Sequence, residues 1–448
     1  MIFALQNNSK NFLGLFVKSI VFFPLIYSIS FIESFVSLTT EKIALIILLA
    51  YAFFFSNKRM MATEAKHDVV QMYFVQFFLL VYTSLILLLI GFGSGTNILP
   101  YIIYFLVMVP LELYALINLF DNVDELMKVL FIISLFQVLI IVGTLINPSF
   151  ARFIDSTFNS VGSYYDYQIM RMIHYPGGIS CITSTGALKL SLGVVSGMYL
   201  YQKSKGNILY FILTFFIVVI STIVARTGIF IGGTAIALLI LTMILRNESV
   251  SVFFKRAIVV AVIGCIVYFF IADNAESMFV RLMWLEEKGL DKAFFNSYFQ
   301  GKTTVIPELS WKTIVGTGIF SGESGNGVFI NADGNFVRMY CAIGLPLAIG
   351  FYLFLFYKMF KSAYLVRSNS LVLYTTILMT FVMIIGEFKE PFFYTRYLFV
   401  LFYLIVYLFE KNYVNRLIPS NNIMTIYKDS SLERMTKRNG AIDENIKI

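Results

Sequence analysis

Read from its N-terminus, the chain is a succession of long apolar stretches separated by short polar ones. The apolar runs reach about 17 to 25 residues, enough for a helix to cross the hydrocarbon core of a bilayer while satisfying its own backbone hydrogen bonds. About twelve such runs fall near 12–32, 37–55, 72–93, 101–120, 129–147, 179–200, 208–224, 229–245, 257–272, 337–357, 371–388 and 392–410. They predict an all-α polytopic membrane protein of about 12 transmembrane helices, a single integral membrane domain over 1–410 followed by a cytoplasmic tail over 411–448. The first run follows a short polar segment with Lys10, carries Lys18 and Pro24 and lacks a small-residue cleavage site. It is therefore expected to be a retained span rather than a signal peptide, with the mature chain beginning near Met1.

Composition agrees with the pattern. Of the 448 residues, 58 % are hydrophobic and only 13 % are charged, against about 25 % charged in soluble domains. Lys and Arg then set the orientation, because loops retained in the cytoplasm are enriched in them. An even number of spans puts both termini on one side. With that side cytoplasmic, the inner loops hold Lys58, Arg59 and Lys66, then Lys203 and Lys205, then Arg246, Lys255 and Arg256, then Lys358, Lys361 and Arg367. The net charge of +8 is mostly this topological signal and does not call for nucleic acid. The location expected is a membrane, crossed many times, with both termini cytoplasmic.

Several chemistries are disfavoured. Cys181, Cys265 and Cys341 all fall inside apolar runs, so no disulfide framework or CxxC metal pair is available. His67 and His174 lie in loops on opposite sides, and there is no P-loop, no GxGxxG after a strand and no HExxH helix. No metal and no cofactor is expected.

The outward side carries two sizeable polar loops, about 148–178 and about 273–336, and loops well over a dozen residues long are commonly functional. Against the positive-inside trend, Arg152, Arg171, Arg226, Arg281, Arg338 and Arg396 fall on this side or at its boundary. Arg226 is the sharpest case, because ISTIVARTGIFIGG leaves almost no polar turn between two runs and a charge at that depth is costly unless paired or functional. A guanidinium suits phosphate through its planar fork and permanent charge. The competing reading is that these arginines snorkel to headgroups or pair with loop carboxylates. His174 reads more readily as an interfacial polar residue than as a catalyst.

The stretch GTGIFSGESGNGVFINADGNFVR, residues 316–338, is glycine-rich and precedes the tenth run. Such a loop suits close approach of backbone donors to a ligand, and it would also suit mere flexibility. Asp333 and Arg338 bracket the start of that run, with Glu323 a second carboxylate nearby. Either carboxylate can act as a general base towards a hydroxyl, and Asp333 can equally cap the following helix.

Three short stretches stand in a defined order: ARTG at 225–228, GTGIF at 316–320 and DGNFVRMYCAIG at 333–344. In this the chain resembles the O-antigen polymerase and ligase superfamily of bacterial envelope glycosyltransferases. There, a Ser-Arg-Thr-Gly-like motif between two spans is followed, after a large periplasmic loop, by a Gly-rich segment leading into a span with an internal glycine. Asp333 and Gly344 enclose ten residues, the spacing many ligases show between a histidine and a glycine. Asp in place of that His favours polymerase over ligase.

The resemblance implies a GT-C-like helical membrane fold and a donor glycan carried on undecaprenyl diphosphate, with neither nucleotide sugar nor obligatory metal. It also implies membrane lipid and a chain-length regulator protein as partners. Asp333 and Glu323 become the catalytic candidates, and Arg226, Arg171, Arg338, Arg152 and His174 the diphosphate- and substrate-binding ones. The rival readings are a ligase and a flippase for the same lipid-linked unit. A flippase would show short loops on both sides and internal repeats; no convincing repeat relates the two halves, although Lys189, Pro110 and Glu112 would suit a membrane pathway. A further rival is a scaffold or sensor acting through the tail.

Overall fold

The structure, a computed structural model, describes residues 2–27, 40–56, 63–147, 149–151, 153–154, 183–225, 227–245, 308–330, 334–388 and 396–417. It is mostly helical (84 %). The helices are α1 Ile2–Ile26, α2 Thr40–Tyr51, α3 Glu64–Ile90, α4 Leu99–Leu119, α5 Val123–Ile146, α6 Thr183–Lys203, α7 Ile208–Val224 and α8 Thr227–Leu245. They continue with α9 Trp311–Val315, α10 Asn335–Ile343, α11 Leu345–Leu365, α12 Ser370–Glu387 and α13 Arg396–Leu417. The expected run at 257–272 lies outside the described residues.

Capping fixes several boundaries that hydropathy leaves open. Thr63 accepts the Lys66 N–H at 3.2 Å and Asn122 the Glu125 N–H at 2.9 Å, so α3 and α5 begin several residues before their apolar runs. Asn207 and Asn369 do the same for α7 and α12. The last helix runs on to Leu417, past the expected tail boundary at 411.

Four helices, α3, α4, α5 and α12, are long and apolar enough to cross a membrane. Their surface is apolar as well: Phe74, Leu88 and Leu89 on α3 are 71, 74 and 83 % exposed. Contiguous apolar surface of this kind marks contact with lipid or protein rather than water. The chain is thus a helical, membrane-embedded protein.

The tenth run is not one helix. It divides into α10 and α11 at Gly344, whose φ of +86° suits glycine best. Pro346 near the start of α11 suits a helix beginning there, where its missing N–H costs no intrahelical bond.

The helices are antiparallel, so their connections gather at two ends. One end holds residues 63–68, 120–125, 199–207 and 366–370 with the later part of α13. Lys358 meets Asp68 at 2.7 Å there, with both side chains buried, and Ser362 donates to the other Asp68 oxygen at 3.1 Å. Lys361 bridges Glu64 at 3.3 Å and Asp68 at 3.5 Å, while Glu410 accepts the Ala65 N–H at 3.1 Å. Lys203 pairs with Asp124, which also accepts the Tyr199 hydroxyl at 2.5 Å, and Lys18 pairs with Glu125 at 2.6 Å.

The other end holds 91–98, 308–330, 344 and 387. It carries a small antiparallel sheet ordered β1 (Thr96–Asn97), β2 (Ile319–Glu323), β3 (Phe329–Ile330), so part of the glycine-rich loop is regular structure. Thr96 pairs with Ser321 and Asn97 with Ile319, so the α3–α4 connection is joined to the loop.

Candidate functional site

At the sheet end, two of the quoted stretches bind each other directly. The Thr317 N–H donates to Cys341 O at 2.8 Å and the Gly318 N–H to Ala342 O at 2.9 Å, with the Thr317 hydroxyl on Cys341 O at 3.0 Å. Backbone GTGIF thus pairs with backbone MYCAIG. The close approach needs glycine on both sides: Gly316 has φ +98°, and a Cβ there would lie 2.6 Å from the Gly344 nitrogen. Around this clasp, the Ile98 N–H donates to Gly318 O at 3.1 Å, the Gly95 N–H to Glu323 O at 2.9 Å and the Tyr82 hydroxyl to Val315 O at 2.5 Å. Ser324 closes the β2–β3 turn by donating its N–H to Val328 O at 2.9 Å.

Arg338 lies in the first turn of α10, its guanidinium over the Phe320 ring at 5.7 Å. An arginine of the third stretch therefore rests on an aromatic of the second. Glu323 is exposed at the end of β2. Asp333, Arg226, Arg171, Arg152 and His174 lie outside the described residues. The helices flanking Arg226 are described: α7 ends at Val224 and α8 begins at Thr227, which leaves only a two-residue junction. Of the rival pathway residues, Pro110 and Glu112 lie within α4 and Lys189 within α6, with Glu112 and Lys189 buried.

Beside Arg338 stands a buried polar group that hydropathy and motif spacing did not reveal. Glu387, the last residue of α12, is 2 % exposed and accepts hydrogen bonds from the Tyr352 hydroxyl of α11 at 2.8 Å and from the Asn335 amide of α10. The same Asn335 Nδ2 also donates to the Tyr352 oxygen at 3.0 Å. Phe336 packs on Tyr352 and Phe388 with centroids 4.6 and 5.1 Å apart, covering the group with aromatic surface. The available signal was a single carboxylate closing the apolar run 371–388, since an ionisable residue at such a position requires a partner.

The site combines a backbone clasp rich in glycine, a half-buried guanidinium, an exposed carboxylate and a buried carboxylate–amide–phenol group. No protein-family model matches the chain, and no curated protein sequence matches it. Fold and composition define its class as a helical membrane-embedded protein.

Proposed function

We propose that the chain is an O-antigen polymerase: a GT-C-like membrane glycosyltransferase of about twelve spans in the bacterial inner membrane. It would join undecaprenyl-diphosphate-linked oligosaccharide repeat units at the periplasmic face. The observation that carries the reading is the clasp between GTGIF and MYCAIG, with Arg338 resting on Phe320. Two stretches on which the resemblance rests, separated by twelve residues of chain, form one site at one end of the bundle. That end is the one the Lys and Arg distribution assigns to the periplasm.

In this reaction Asp333, with Glu323 in reserve, takes the proton from a hydroxyl of the acceptor unit's sugar. The hydroxyl oxygen bonds to the anomeric carbon of the donor glycan, and the bond from that carbon to the diphosphate oxygen breaks. Undecaprenyl diphosphate leaves with the electron pair. Arg226 and Arg338, with Arg171, Arg152 and His174, stabilise the charge that develops on it. The repeat-unit glycan grows by one block, and no oxidant, reductant or metal enters the balance.

The test is repeat addition by the purified protein supplied with lipid-linked units. Products two or more units long are expected, and Asp333→Asn should lower turnover at least roughly 100-fold, within the usual contribution of a general base. Units that are bound or moved across vesicles without being joined would replace the enzyme reading by the transporter reading. Near-normal turnover by Asp333→Asn would remove Asp333 from the base role.

A further inference from the structure

The buried group at Asn335 contains an acceptor without a donor. Which way its amide points follows from its neighbours rather than from a choice between similar atoms. An ionised Glu387 can only accept, and against it the amide atom facing the carboxylate is the nitrogen. Tyr352 has one hydroxyl proton and directs it at Glu387 Oε2, so towards Asn335 it too can only accept. Both contacts require Nδ2, and Oδ1 is turned away from them. That oxygen is buried and has no hydrogen-bond partner among the described residues. Buried polar side chains nearly always find a partner, so an orphaned acceptor at a candidate site calls for an explanation, and a bound donor supplies one.

The chemistry of this oxygen restricts a ligand to hydrogen-bond donors. A lone carbonyl oxygen beside a carboxylate cannot receive a phosphate or another carboxylate, which bring no proton and the wrong charge. It can receive a hydroxyl. The first turn of α10 would thus serve two chemistries: Arg338 on the Phe320 side suits an anion, and Asn335 on the Glu387 side suits a neutral hydrogen-bond donor.

We propose that Asn335, oriented by Glu387 and Tyr352, is a specificity-determining residue that reads one sugar hydroxyl of the acceptor glycan through Oδ1. This rests on the polymerase reading for the word acceptor; hydroxyl recognition itself requires only that a glycan binds. Within the site it places the acceptor sugar near the α10–α12 contact and the diphosphate nearer Phe320. Glu387 and Tyr352 are positioning residues, acting through the amide.

The experiment pairs acceptor analogues, each lacking one hydroxyl, with the intact protein and with Asn335→Ala. Binding and repeat addition are both measured. One deoxy analogue should bind the intact protein at least ten-fold more weakly than the parent unit, and Asn335→Ala should lose that discrimination while leaving affinity for a diphosphate-bearing lipid without sugar unchanged. Tyr352→Phe, which keeps Oδ1 and the Glu387 contact, should retain at least part of the discrimination. A penalty that survives in Asn335→Ala overturns the proposal. So does a full deoxy series bound equally by the intact protein, a result that does not depend on any variant folding. Glycan units that bind with the expected hydroxyl selectivity but are never joined would defeat the polymerase reading alone.

Discussion

The two ends of the helix bundle are held by different forces. At the end bearing Asp68, Asp124 and Glu410, opposite charges close the structure through the pairs made by Lys18, Lys203, Lys358 and Lys361. At the sheet end the elements are held by backbone hydrogen bonds through glycines and by the Glu387 carboxylate, which accepts from a phenol and an amide. The sheet end joins its elements with peptide groups and lays Arg338 against the aromatic face of Phe320. The contrast is between an end built for holding helices together and one whose geometry suits binding.

The strongest way to break the comparison is at Asp68. Asp68→Ala strands the buried Lys358 ammonium, and losing one partner of a buried pair costs about 3–5 kcal/mol. Thermal unfolding in detergent should show a large loss of stability, largely recovered when Lys358→Met is added. A loss no larger than that of an exposed pair would mean that charge does not close this end.

The next largest effect belongs to the sheet end and is functional. If Arg338 holds the leaving diphosphate, Arg338→Ala should weaken repeat addition by roughly 2–5 kcal/mol with normal protein levels in the membrane, and Lys should restore only part of it because it lacks the planar fork. A normal ladder of polymer in cells carrying Arg338→Ala would exclude it from the site.

Gly344→Ala comes third. A residue forced into φ +86° costs about 1–3 kcal/mol, and the added methyl would lie 2.7 Å from the Val315 carbonyl carbon. Both the unfolding temperature and turnover should fall, since the clasp orders α10. An unaltered unfolding temperature would show that the clasp contributes nothing to stability.

The smallest effect is expected at Lys361, whose pairs with Glu64 and Asp68 are partly exposed and opened by solvent. Lys361→Ala should change stability by at most about 1 kcal/mol. Unfolding at raised salt should mimic the substitution while leaving the Asp68–Lys358 pair in place. A loss matching that of Asp68→Ala would instead place Lys361 inside the lock.

The four helices long and apolar enough to cross a membrane were legible in the sequence because a long apolar run is a local property. The break at Gly344 was written locally too, as GLP, but averaging hydropathy over 337–357 hides a single glycine and proline. The candidate site was legible only where chemistry and neighbours coincide along the chain. Arg338 stands in a motif, whereas Glu387 reaches Asn335 from 52 residues away and Tyr352 from 35. No spacing rule carries such pairings, because they are set by which helices pack together. Glu323 illustrates the reverse: it is prominent in the glycine-rich stretch, yet it ends a strand at the surface.

The sheet imposes an order on assembly. Asn97 pairs with Ile319, which leaves the ribosome 222 residues later, an interval of about 10–45 s at synthesis rates of about 5–20 residues per second. Throughout that time the polar backbone after α3 has no strand to join, even though α3 to α8 have all been synthesised. A nascent chain stopped before residue 319 would therefore present 91–98 as an unpaired edge to membrane quality-control proteases, and release from them should come only when β2 arrives.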